Sequence, residues 1–284
     1  MTDDRRMDER GRAGLGTLVF VAFLAALVWG GNWLLTTGRP LIDGGPLSGI
    51  FAGDTVRRSV TGWLNGGSMP PPQADAQETR ILPAVRPPAD PGEYAFLRRE
   101  GGTPVTYSPC RRLEVVVNTA GAPPEAMPVV ADAVAQISRA SGLSITVAGE
   151  TREQYRAERK PYQPGRYGER WAPILIAWAG PNAVPEFQQA AVGLGGSLAI
   201  DTALSDPAYV TGSIVLDREF FADPGNHGYL SEVVLHEMGH VVGLDHVSDE
   251  SQIMWEGGLH GAQLGSGDLA GLAKAGRGEC TPDL

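Results

Sequence analysis

At 284 residues the chain has room for one sizeable domain with extensions, or for two small ones. Its 42% hydrophobic and 20% charged content is ordinary for a globular protein, while 38 glycines and 22 prolines imply long stretches outside any packed core. A formal net charge of −10 and a pI near 5.0 argue against nucleic acid as a partner, because phosphate binding needs a basic face.

Residues 1–12 (MTDDRRMDERGR) are polar and carry four arginines; they read as a cytoplasmic tail. From Leu15 to Leu35 the chain is almost wholly apolar, with Asn32 its one strongly polar residue. About 20 such residues at roughly 1.5 Å each span the hydrocarbon core of a bilayer. Residues 13–35 are therefore expected to form a transmembrane signal anchor, with Trp29 and Trp33 at its outer interface. The preceding arginines place the N-terminus in the cytoplasm and the rest outside, as a single-pass protein of the cell membrane. A cleaved signal peptide has the same charge order and would instead give a secreted protein; a buried soluble helix is the third reading. Export makes one Cys110–Cys280 disulfide the expectation, whereas in the cytosol the pair would read as two unrelated thiols.

Residues 36–93 read as a Gly/Pro-rich extracytoplasmic linker with room for one short helix around 49–64. A prodomain is the alternative there, but too few apolar residues are present to build its core. The compact domain is expected over 94–284. LEVVVN (113–118) predicts a strand, and PPEAMPVVADAVAQISRASG a helix with Met127, Val130, Val134 and Ile137 on one face. Pro128 must then lie in its first turn, where a missing N–H costs nothing. LSITVAG (143–149), APILIAWAG (172–180), VGLGGSLAI (192–200) and TGSIVLD (211–217) predict further strands, and two later helices follow. This order predicts an α/β (α+β) domain: a twisted mixed sheet of about five strands with helices packed on it.

Three of the five histidines fall within VVLHEMGHVVGLDH (233–246). On a helix His236 and His240 point the same way, and Val234, Met238, Val241 and Val242 point oppositely, towards the sheet. Glu237 falls about 100° round from His236, beside a metal rather than buried. DPGNHG (223–228) is a turn-rich lead-in, with Tyr229 as packing at the helix start. Gly243 is the expected terminator, and a sharp turn there brings His246 back. Three neutral imidazoles plus one water make an open tetrahedral zinc site.

HEMGHVVGLDH resembles the HExxHxxGxxH motif of the metzincin zinc metallopeptidases, and GLDH with Met254 eight residues on looks like the matrixins, in a membrane-anchored form. The resemblance implies one catalytic Zn²⁺ on His236, His240 and His246, Glu237 as general base, and Met254 in the Met-turn. It also implies a cleft-edge strand at Gly193, Leu194, Gly195 and Gly196, for which an ordinary sheet edge is the plain alternative. Trp255 either lines the pocket beyond the cut bond or packs in the core. SGDLAGLAKAG (266–276) resembles the C-terminal helix, capped by Ser266 or Asp268. Matrixins often hold a second zinc and calcium. Outside the motif only His227 and His260 remain, and no acidic loop is spaced for calcium, so neither is supported by the sequence. His260 reads as a surface residue or an auxiliary donor. Cys110 (SPCRR) does not match the inhibitory cysteine switch. The implied activity is hydrolysis of protein or peptide substrates by a monomer. The alternative is an inactive membrane-tethered binding protein on the same fold.

Overall fold

The computed structural model describes residues 76–189, 191–200, 207–259, 261, 263–282 and 284. The expected tail, the anchor at 13–35 with Trp29 and Trp33, the helix around 49–64 and His260 lie outside these residues. Among the described residues no helix is long and apolar enough to cross a membrane.

The elements run β1 (Ala95–Phe96), β2 (Arg99–Glu100), β3 (Thr103–Pro104), β4 (Thr106–Tyr107), β5 (Leu113–Asn118), α1 (Ala126–Ser141) and β6 (Ile145–Glu150). A four-residue helix, α2 (Pro164–Tyr167), precedes β7 (Ile174–Ala179), β8 (Gly193–Ile200) and β9 (Ala208–Asp217). Then follow α3 (Leu230–Val241), β10 (Leu244–Asp245) and α4 (Ser266–Ala275). Pro128 falls in the first turn of α1, as its missing donor requires.

The main sheet runs β6-β5-β7-β9, all parallel, with β8 antiparallel on the outer edge of β9. It has six strands rather than about five, because the two-residue β4 pairs with the start of β9 in line with β7. Strand β9 also begins three residues earlier than its apolar pattern suggests, extended by pairing to β4 and β8. All six residues of β7 are buried, the mark of a parallel strand covered on both faces. Val115, Val117, Ile176 and Ile214 meet the helices, whereas Val116, Leu175, Ala177 and Val215 meet a layer of loops that includes Tyr155, Tyr167 and Phe187.

That loop layer is anchored by an ion pair that no periodicity announces. Arg159 donates through Nε and Nη2 to the two carboxylate oxygens of Glu153, each at 2.9 Å, and its other N–H groups reach Pro173 O, Gly212 O and Thr211 Oγ1. Both side chains are 7% exposed. Burial alone would raise the Glu153 pKa, but Arg159, Tyr167 and Gln163 outweigh it and the net shift is downward. The pair therefore contributes stability that is present above the unfolded carboxyl range, near pH 4.3, and lost as pH falls through the lower folded value. Glu153→Gln should cost about 3–5 kcal/mol in urea unfolding at pH 7, since Arg159 is left buried without its counter-charge. The gap to the parent should narrow below about pH 4. An undiminished gap there would overturn this assignment.

Residues before Tyr94, read as linker, also reach this body. The amides of Gln77 and Ile81 donate to Cys110 O and Pro109 O, and the Arg80 guanidinium donates to Gly276 O and Gly142 O. Cys110 and Cys280 form a disulfide, with Cα atoms 5.3 Å apart, fastening the chain end to the segment before β5.

Candidate metal centre

Helix α3 begins after a 3₁₀ turn (Pro224–Tyr229) in which the Asp223 carboxylate accepts the Gly225 N–H at 2.9 Å. Tyr229 is 39% exposed, more open than helix-start packing suggests, although its ring still meets Phe220. Val234, Met238, Val241 and Val242 are fully buried, which turns His236 and His240 to the other side. The helix ends at Val241, and Gly243 has φ +104°, a conformation that side chains with a β-carbon avoid. Beyond it the chain is extended and gripped from two sides. β1 pairs with β10, while Val247 exchanges hydrogen bonds with Met254 and Glu256. His246 is thereby returned to α3.

The Nε2 atoms of His236, His240 and His246 form a near-equilateral triangle with edges of 3.1, 3.1 and 3.2 Å. Nδ1–H of His236 donates to Ile253 O (2.7 Å), and Nδ1–H of His240 to Leu244 O (2.9 Å). These bonds set the tautomer, so bare Nε2 lone pairs converge, an arrangement that repels unless a cation joins them. Burial, aided by His246, pushes His240 down to about 3; burial also lowers His246, so both rings are neutral at pH 7, as metal ligands must be. Edges of this length suit three imidazoles about one zinc ion at roughly 2.0–2.1 Å. The donor set fits zinc.

Glu237 is fully buried, not merely beside the centre as the helical angle suggests, because β8 closes over it. A Cβ on Gly193 would lie 2.8 Å from Glu237 Oε1, and one on Gly195 would lie 2.9 Å from Oε2 and 2.5 Å from the Glu237 carbonyl oxygen. These glycines let strand and helix approach. Gly195→Ala should cost about 1–3 kcal/mol, because the nearest atom is backbone and cannot swing aside. A thermal melt unchanged from the parent would contradict that reading. Leu194 faces the opposite side of the sheet, packed with Val215 and Phe187, and Gly196 pairs with Ser213. Ser197, from the same strand, donates to Val241 O at 2.7 Å and so caps α3.

Met254 is buried, and its thioether packs directly on Gly239, between the two helical histidines. Trp255 is half-buried beside Val247, with Gly257 against its indole. His227, nine residues before His236, is not in the cluster and pairs with Glu125 at 2.8 Å.

Two acidic residues hold this arrangement, and sequence reasoning missed their roles. Asp268, expected as a cap, accepts the N–H groups of Gly265 (2.8 Å), Ile253 (2.6 Å) and Met254 (3.3 Å). Burial raises its pKa against the pull of those amides. It fixes the peptide whose carbonyl orients His236. Ser266 is not a cap; its hydroxyl accepts the Gly92 N–H. Glu232, one turn before His236, accepts the Gly261 N–H with both oxygens at 3.0 and 3.1 Å. An acidic residue near a helix start reads only as a capping signal; its distant amide partners appear once the chain folds.

A helix with two imidazoles, a glycine turn returning a third, and a methionine packed beneath them form a candidate site for one metal ion. The matrixin family model (Peptidase_M10) matches residues 170–271, the stretch that carries the histidine cluster, so this part of the chain is similar to the matrixins. No curated protein matches the chain. Among solved structures, the crystal structure of metalloproteinase-II from Bacteroides fragilis aligns over 61% of this chain at 15% identity and a TM-score of 0.36. The alignment spans 57% of that chain.

Proposed function

We propose that the chain is a zinc-dependent endopeptidase, held at the cell surface by residues 13–35, with its domain over 94–284 outside the membrane. The observation that carries this reading is the triangle of Nε2 atoms with Glu237 next in sequence to His236. Zinc, when bound, acts as a Lewis acid on the scissile carbonyl and brings the pKa of water towards ~7. His236, His240 and His246 hold it. Glu237 accepts the proton of the attacking water and delivers it to the leaving amine. The substrate backbone lies extended along Gly193–Gly196, for β8 pairs with β9 alone among the described strands and offers its other edge. Trp255 lines the pocket for the residue after the cut bond. The Cys110–Cys280 disulfide suits the oxidising side of a membrane.

The other reading, a tethered binding protein that has lost hydrolysis, is disfavoured by the buried Glu237, since a pure binder has no use for a base there. The full chain loaded with zinc should cleave casein, stop when the metal is chelated, and recover when zinc is returned. A zinc-loaded sample that leaves casein intact would favour the binding protein.

A further inference from the structure

Six of the chain's 23 lysines and arginines fall between Arg152 and Arg170, although the chain as a whole carries a net charge of −10. Two of the six find carboxylates: Arg159 pairs with Glu153 and Arg170 with Glu114. The remaining four, Arg152, Arg156, Lys160 and Arg166, are exposed and surround one cavity of about 480 Å³. None of the four has a carboxylate partner among the described residues, even though Glu158 lines the same hollow. Gathering four like charges costs Coulomb energy that a charge-balanced solvated loop would avoid by interleaving acids.

The rim is also held in place. Beneath it lie the fully engaged Arg159 guanidinium, the Asn118 side chain donating to Glu153 O at 2.8 Å, and the Tyr167 hydroxyl on Glu153 at 2.6 Å. Tyr155, from the same loop, packs against Val116, Leu175 and Ala177, the sheet face turned away from α1 and α3. The hollow therefore lies across the sheet from the histidine cluster and is no part of the substrate cleft.

We propose that this hollow is a binding site for a phosphate group, remote from the metal centre. A carboxylate would neutralise one of four cations. A phosphate monoester carries nearly two negative charges and three acceptor oxygens, which arginine forks meet in pairs. The volume admits the phosphate together with a small attached unit such as glycerol. The phosphate monoester comes from a lipid headgroup, as in phosphatidic acid, or from a free phosphate ester.

The test uses the full chain in a neutral detergent, titrated calorimetrically with glycerol 3-phosphate, with dihexanoyl phosphatidic acid below its micelle concentration, and with the zwitterionic dihexanoyl phosphatidylcholine. At least one of the first two should bind saturably and more tightly than phosphatidylcholine. R152Q/R156Q/K160Q/R166Q should weaken that binding at least tenfold with an unchanged melting temperature; if this variant does not fold, R152Q/R166Q serves, with a loss of at least threefold. Binding of phosphatidic acid alone identifies a headgroup site, and binding of glycerol 3-phosphate a site for free esters. Absence of binding by both, or equal binding by parent and folded variant, overturns the proposal.

Discussion

Glutamine in place of Glu237 should leave zinc uptake at one equivalent and lower casein turnover by about 10²–10⁴-fold, mainly through kcat. The buried side chain sits between α3 and the backbone of Gly193 and Gly195. Glutamine has nearly the same shape, so it refills the space and leaves the histidine triangle undisturbed. What it lacks is a lone pair able to hold a proton at neutral pH. Elemental analysis and steady-state kinetics on one preparation separate the two roles. If the variant binds zinc and cleaves at the parental rate, Glu237 is not the base.

Reduction of Cys110–Cys280 should lower the free energy of unfolding by about 5 kcal/mol on the chain-entropy estimate for so long a loop. The bridge joins residues 170 apart, tying the C-terminal end to the segment entering β5. Cys110 O also accepts the Gln77 amide, and the Arg80 guanidinium reaches Gly276 O from the same segment, so the bridge and the residues before Tyr94 close one corner together. The loss is a large part of the 5–15 kcal/mol typical of a native domain. Urea unfolding of the parent with and without reductant, and of C110S/C280S, measures it. Equal midpoints would show that the bridge adds nothing.

The meeting of three histidines was legible in the sequence because its logic is local. Helical geometry alone puts His236 and His240 on one face, and Gly243 marks the turn that returns His246. The strands over 113–118 and 174–179 were legible for a related reason: a strand buried on both faces reads as a continuous apolar run. Period counting was silent on β4, two residues long and defined by its pairing to β9 rather than by any pattern of its own.

Residue types and their periodicity thus determined the longer elements, their order, and which imidazoles meet. Tertiary structure decided everything that depends on partners distant in the chain. It buried Glu237 under β8, gave Asp268 the amides of Ile253 and Met254, locked Arg159 onto Glu153, and drew residues 77–92 onto the domain. The physical reason is the range of each interaction. Backbone geometry repeats every two or 3.6 residues and leaves a trace in sequence, whereas a hydrogen bond or an ion pair across the fold has no period.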